Sequence, residues 1–535
     1  MINTENQIPI VIGATGHRAI REGDRAALKQ AVKEELLKLR QLCPNSRLLM
    51  LSALAEGGDL LCAEAAAELD IGMIAALPRP QGDYERDFSP EALERFRFHC
   101  KRAEQVFVAP WTEEPPADGE RRDFTFRQAG IYVAQHCHVL LALWDGGPGS
   151  QAACGTAEAV EFALHGDYTP ALGTAPRTGA NSAVLHIFTP RGKQIEEPAG
   201  SVHVLGDWKQ VRKSLQQTDD FNRLAAALPT SKRRLMPEDR PLDAALEKME
   251  RVYLAAGTLS RNAAERYRRV LALLAVASAV LTFAFLMYDE AEAVWMILVC
   301  GATLLAAWGL RRFAVTSDCH RLYLDCRVLA EYLRVQSFLR YAGSRVEAAQ
   351  LLSWTQREEA VWAMVALCAL NVGREPENGR DIRACWVEAQ RDYHGKAAKS
   401  SGLKLTASER TVRIALLVSV SLYVAAVGFE LLCGGLIFRP ALVVLNVEFW
   451  RTVLKILLGI LSAVTLFVAN YYGHLSLPRT MSDHRKMERF YESMSTRLEK
   501  RGQTEALLAE LAREELIENG NWCSYQRDNT PDFSL

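Results

Sequence analysis

Three short stretches of this sequence carry residue types that can hold a phosphate. Gly13-Ala14-Thr15-Gly16-His17-Arg18 closes one apolar run, and Ser52-Ala53-Leu54-Ala55-Glu56-Gly57-Gly58-Asp59 closes another. Trp144-Asp145-Gly146-Gly147-Pro148-Gly149 closes a third and is followed by Cys154-Gly155-Thr156-Ala157-Glu158. Glycine lets a backbone come close to a phosphate, whose charge is met by amide N–H groups at a helix start and by Arg18. One glycine turn alone serves geometry as readily as chemistry. Three at the same edge of one sheet point to a phosphate-bearing ligand. The residues expected to bind it are Gly13, Thr15, Gly16, His17, Arg18, Ser52, Glu56, Gly57, Gly58, Asp59, Asp145, Gly146, Gly155 and Thr156. His17 could touch the phosphate, act as an acid or stabilise its turn.

Other residue groupings carry weaker chemical signals. His136-Cys137-His138 has metal-ligating types, but alternation along an extended chain points Cys137 away from both histidines. Structural ligands need further partners at suitable spacing, so neither a metal nor another cofactor is expected. No GxxxxGK(S/T) loop and no GxSxG elbow occurs, which argues against a P-loop NTPase and an α/β-hydrolase. A formal net charge of -1 favours no nucleic-acid partner.

The elements that must position these stretches follow from hydropathy. Ile8–Ile12, Leu48–Leu51, Met73–Leu77, Val106–Val108, Val139–Leu143 and Val184–Phe188 are apolar at nearly every position, as strands buried on both faces are. Helical segments are expected between them, near 24–42, 59–70, 90–101, 122–136 and 155–165. Strand and helix alternating in this way give an open, doubly wound, Rossmann-like parallel sheet, whose ligands bind at the carboxyl ends of the strands. Residues 1–200 form this α/β domain, and the charged stretch 201–250 reads as a linker.

The remainder reads as an all-α membrane domain with four transmembrane helices in two hairpins. Val270–Met287 and Ala293–Leu310 are each eighteen residues without an acid or base, near the lower limit for crossing a bilayer. Ile414–Phe429, extendable past Glu430 toward Phe438, and Ile456–Tyr472 complete the set. Arg266, Arg268 and Arg269 precede the first span, Arg311 and Arg312 follow the second, and only Asp289, Glu290 and Glu292 lie between. Basic flanks stay inside, so both termini and the central segment are expected in the cytoplasm. The second hairpin is less clearly oriented, because Arg439, Arg451 and Lys455 sit in its loop. The expected boundaries are 251–313 for the first hairpin, 314–410 for a cytosolic helical segment, 411–475 for the second hairpin and 476–535 for a C-terminal helix and tail. Twelve scattered cysteines without a CxxC pair suit a reducing compartment, and no signal peptide is read at the N-terminus. In the central segment, Glu331 has Arg327 and Arg334 as helical neighbours, the pattern of a solvated or interhelical ion pair.

IGATGHR, LSALAEGGD and LLALWDGGPG with CGTAE together resemble the SLOG superfamily, the Rossmann-like group named for the Smf/DprA and LOG proteins. The resemblance covers about residues 8–190. In LOG enzymes, which cleave the N-glycosidic bond of cytokinin nucleotides, a GGxGTxEE loop and an upstream arginine form the catalytic site. Gly155, Thr156 and Glu158 match the GTxE part, and Arg127 stands near where that arginine falls, so the resemblance implies Glu158 and Arg127 as catalytic residues. Two departures separate the chain from those enzymes. Seven residues part Gly146-Gly147 from Gly155-Thr156, and Ala159 replaces the second acid. The second half resembles SLATT domains, two-span membrane modules of bacterial conflict systems, through Tyr267-Arg268-Arg269 entering the bilayer and the run Arg327–Arg334. A fainter echo runs from His484–Met494 toward Trp522.

The resemblance implies a sensor and effector in a bacterial inner (plasma) membrane, and because four spans are too few for a wide pore in one chain, a homo-oligomer is expected. It would bind a nucleotide derivative supplied by a partner enzyme and permeabilise the lipid bilayer in antiphage defence. A membrane-tethered LOG-like hydrolase and a small-ligand channel or transporter are the alternatives.

Overall fold

The computed structural model describes residues 4–115, 121–147, 155–166, 182–191, 197–229, 233–237, 242–373, 379–432, 446–474 and 477–528. The chain divides into two compact units. The first comprises Met1–Ser260, Leu324–Ile382 and Arg501–Ser524; the second comprises Arg261–Tyr323, Arg383–Lys500 and Tyr525–Leu535.

A seven-stranded sheet organises the first unit. Its strands are β1 (Ile10–Gly16), β2 (Leu48–Ser52), β3 (Gly72–Leu77), β4 (Gln105–Val108), β5 (Val139–Trp144), β6 (Ala183–Phe188) and β7 (Val202–Gly206). They lie in the order β4-β3-β2-β1-β5-β6-β7, parallel except for β7, which runs antiparallel to β6 at the edge. Ile12 of β1 stands opposite Met50 on one side and Val139 on the other. Chain order reverses between β1 and β5, and this switch point decides where a ligand can enter.

Helices cover both faces, which is why the strands are apolar at successive positions. On one face pack α1 (Arg25–Leu42), α2 (Gly58–Glu68) and α3 (Pro90–Arg102), meeting Ile10, Ile12, Met50 and Leu141. On the other pack α4 (Arg121–His136) and α5 (Thr156–His165), meeting Val11, Leu49, Leu51 and Leu140. Burying each such side chain contributes about 1.5–3 kcal/mol. Local signals set the ends of α3: Pro90 occupies the first turn, and the Ser89 side chain accepts from the Ala92 N–H.

Residues 202–225, which read as linker, instead form β7 and α6 (Trp208–Ala225). The side chains of β7 are largely exposed, so it lacks the apolar signature of its neighbours. Helix α6 buries Val211, Leu215, Thr218, Phe221, Asn222 and Ala225 on one stripe. Its Asn222 ties it to the sheet, accepting from Ile8 N–H at 2.7 Å and donating to Ile8 O at 2.8 Å.

Helix α7 (Ala244–Glu290) begins in the first unit and continues into the second, where α8 (Met296–Thr316) follows it. Next come α9 (Cys319–Tyr341) and α10 (Val361–Leu370). Every residue of α10 is buried, and Ala369 and nearby Val372 join the sheet core beside α4 and α5. Ten apolar residues are too few to cross a bilayer and suit a core helix. In α9, Glu331 lies 2.6 Å from both Arg327 and Arg334, and Arg334 also engages Glu515 of α14 (Glu505–Asp528). α11 (Ala389–Leu432), α12 (Val447–His474) and α13 (Leu477–Arg501) belong largely to the second unit.

Among the described residues, three helices, Ala244–Glu290, Met296–Tyr341 and Arg383–Leu432, are long and apolar enough to cross a membrane. Their most apolar windows are 11%, 6% and 0% buried within the protein. Leu298 is 74% exposed and Leu305 71%. Exposure of that many large apolar side chains is unfavourable in water and favourable in hydrocarbon, so these are the helices of a membrane protein. Helix α12 contains the expected fourth span, Ile456–Tyr472, but its side chains from 463 onward lie outside the described ones. The extension of the third span toward Phe438, and Arg439 with it, also lies outside the described residues.

Candidate functional site

The first strand carries its pairing one residue past its end, because His17 N–H donates to Leu143 O at 3.0 Å. That bond fixes His17 at the switch point beside the carboxyl end of β5. Its Nε2 lies 3.0 Å from Asp145 Oδ1 and 3.1 Å from the Asp145 amide nitrogen. Nε2 either donates to the carboxylate or accepts the amide proton, one tautomer for each. Burial pushes the His17 pKa below its ordinary value, against the opposing pull of Asp145, and Arg191 lowers it further. Burial works against an ionised Asp145, yet the Gly147 N–H, at 3.1 Å, together with His17 and Arg191 holds its pKa below the usual carboxylate value. At neutral pH the pair is therefore a neutral imidazole beside a carboxylate.

The glycines turn out to have different duties. Gly57 adopts φ +97°, and a Cβ there would lie 2.3 Å from the carbonyl oxygens of both His17 and Arg18. A Cβ on Gly16 would meet the Gly58 Cα at 2.7 Å. These three glycines let the turn after β2 press against the turn after β1, and Gly58 N–H donates to His17 O at 2.9 Å across that contact. Gly13 sits inside β1 against Cys137 and Val133, while Thr15 pairs in register with Ala142. Gly146 takes φ +77° in the turn after β5. Gly155 precedes α5 as its N-cap, and a Cβ there would meet no atom of the described residues within 4 Å. Thr156 is buried behind it as the first helical residue.

Ser52 and Asp59 form a buried pair beneath these turns. Ser52 Oγ donates to Asp59 Oδ2 at 2.9 Å and accepts from Leu54 N–H at 3.0 Å. Burial pushes the Asp59 carboxyl up to about 7, although Ser52, the Ala55 and Gly16 amides and the Arg18 charge all favour its ionised form. Glu56 turns away, accepting from the Ser89 hydroxyl at 2.6 Å and the Ser89 amide at 3.2 Å.

Arg127 and Glu158 are brought together. Arg127 forms an ion pair with Glu158 through Nη1, holds Glu113 through Nε at 2.9 Å and Nη2 at 3.2 Å, and stacks over Phe162. Glu113 had no signal in the sequence, since it lies in an irregular stretch after β4. Arg191 was equally silent. It stands three residues past β6, and its charge reaches both His17 and Asp145. A basic residue just beyond each strand's carboxyl end would have been the sign to seek.

His136 donates from Nδ1 to Tyr132 O at 2.9 Å, its Nε2 lies 2.9 Å from Glu347 Oε1, and His138 Nδ1 accepts from Val11 N–H at 3.1 Å. Among the described residues no group of three or more histidine, cysteine, aspartate or glutamate side chains could hold a metal. Pro148, Gly149 and Cys154 lie outside the described residues. A scan against protein-family models finds no match, and no curated protein matches the sequence.

Proposed function

We propose that this chain is a membrane-anchored sensor and effector of SLOG–SLATT type, whose sheet domain binds a nucleotide-derived ligand and whose apolar helices carry the output. The observation that carries this reading is one chain holding both parts. His17, Arg18, Asp145, Arg191 and the Gly155 helix start belong to the carboxyl edge of a doubly wound sheet, where ligands enter. Three exposed apolar helices follow in the same chain. With Ile456–Tyr472 as the fourth span, two hairpins place both termini in the cytoplasm of a bacterial cell. Four spans line too narrow a bundle for a wide pore in one chain, so the active form is a homo-oligomer in the inner membrane. A ligand drives the helices toward a leaky state only by binding that state more tightly. The test is thermal shift of the detergent-purified chain against a nucleotide panel, followed by dye release from liposomes. Binding without ligand-dependent leakage sinks the effector reading.

The Arg127–Glu158 ion pair favours a second reading, a LOG-like N-glycosidic hydrolase on the same scaffold. Glu158→Ala separates the two. A hydrolase loses turnover of a nucleoside monophosphate and keeps binding it, whereas a sensor has no turnover to lose.

A further inference from the structure

Phe126, near the start of α4, carries three guanidiniums around one ring. The Cζ atoms of Arg18, Arg79 and Arg122 lie 4.9, 5.5 and 5.8 Å from its centroid. They come from the turn after β1, the turn after β3 and the first turn of α4. Like charges so close repel, and the cation–π attraction of each to the ring offsets part of that. Asp87 offsets more, accepting from Arg79 and, at 3.0 Å, from Arg122. Arg18 has no ion-pair partner among the described residues, so positive charge is left over.

Beneath the ring lies Tyr84, with no exposed surface, its ring edge-on to Phe126 at 5.7 Å. Its hydroxyl has no hydrogen-bond partner among the described residues, and neither has the buried Nε of Arg79. The charges acting on Tyr84 are those of Asp59, Arg18, Asp87 and Arg79, which places its hydroxyl in the same group. Buried donors left unpaired are costly, and an acceptor-rich anion would satisfy both while neutralising the excess charge.

Resting on the nucleotide reading above, we infer that Arg18, Arg79, Arg122 and Tyr84 form a second phosphate subsite, so that the ligand carries two phosphates. One phosphate lies on the His17–Arg191 side of β1 and the other lies on the Phe126 cluster. The ligand class is a nucleoside diphosphate or a molecule with a diphosphate bridge. A nucleoside monophosphate fills only one side.

Calorimetric titration of the full chain in detergent with ADP, AMP and inorganic pyrophosphate tests this. ADP is expected to bind about tenfold or more tightly than AMP, the worth of one set of charge-assisted hydrogen bonds. Arg122→Gln and Tyr84→Phe should each shrink that preference about fivefold, with melting temperatures reported as a check on folding. Arg86→Gln, an exposed arginine outside the cluster, should leave it intact. Equal binding of ADP and AMP, or a preference that survives in both cluster variants, overturns the subsite. If neither nucleotide binds, but pyrophosphate does and loses affinity in Arg122→Gln, the subsite stands and the nucleotide reading fails. No binding of any of the three overturns the subsite.

Discussion

At the residue scale, the glycines separate into those that shape the site and those free to meet a ligand. Gly57 cannot accept a side chain, because its φ of +97° and the 2.3 Å approach to two carbonyls both exclude a Cβ. Gly57→Ala is therefore expected to destabilise the fold by about 2–4 kcal/mol and lower its melting temperature. Gly155→Ala meets no atom of the described residues within 4 Å and has an ordinary φ of -100°, so its melting temperature should stay near wild type. If Gly155→Ala nevertheless weakens nucleotide binding, the bare backbone there serves the ligand; unchanged binding removes Gly155 from the site. Asp59 supplies a pH dependence. Its carboxyl titrates near 7 when folded and near 3.9 when unfolded, so the folded chain binds the proton more tightly. Stability from this group is then lost as pH rises from about 4 to about 7, by roughly 4 kcal/mol at most. Melting of the full chain at pH 5 and pH 8 should show a larger fall for wild type than for Asp59→Asn. Parallel profiles would assign the titration elsewhere.

At the scale of elements, late parts of the chain complete the sheet unit. Helix α10 joins its core, and α14 is bound to α9 through charge. Glu331, Arg334 and Glu515 sit together, with Glu331 4% and Glu515 3% exposed. Removing one member leaves its partner charged in a low-dielectric site, which costs more than the intact pair contributes. Glu515→Ala should destabilise the chain by about 3–5 kcal/mol in a denaturant titration, and Glu515→Gln by less. In the second unit, Glu430 near the end of α11 is paired. Arg451 of α12 meets both its oxygens, at 2.6 and 2.8 Å, and Lys455 reaches Glu290 of α7 at 2.9 Å. These pairs explain how acids at helix ends coexist with apolar neighbours.

For the whole molecule, the number of spans decides where the C-terminus lies. With the N-terminal domain inside, three spans would leave Leu535 outside and four return it to the cytoplasm. A green fluorescent protein fused after Leu535 is expected to fluoresce, and an alkaline phosphatase fused there to be inactive. The reverse pair of results would remove Ile456–Tyr472 from the set of spans. The chain itself should stay with the membrane through alkaline carbonate washing, since only apolar burial holds it there.

Strands β1 to β6 and the apolar helices were legible in the sequence because each is written in consecutive residues. Val139–Leu143 is a buried strand in any order of the sheet, and Val270–Met287 seeks hydrocarbon whatever its neighbours. The glycine-rich stretches could likewise be assigned to strand ends. The tertiary structure alone decided which residues meet. It joined His17 to Asp145 across the switch point, drew Arg79 and Arg122 to the Phe126 that Arg18 also covers, and turned Gly16 and Gly58 toward each other. It also made β7 and α6 part of the sheet, where charge had suggested a linker. Periodicity records how one element meets an apolar phase, whereas contacts between elements depend on strand order and helix placement, which no short stretch of sequence contains.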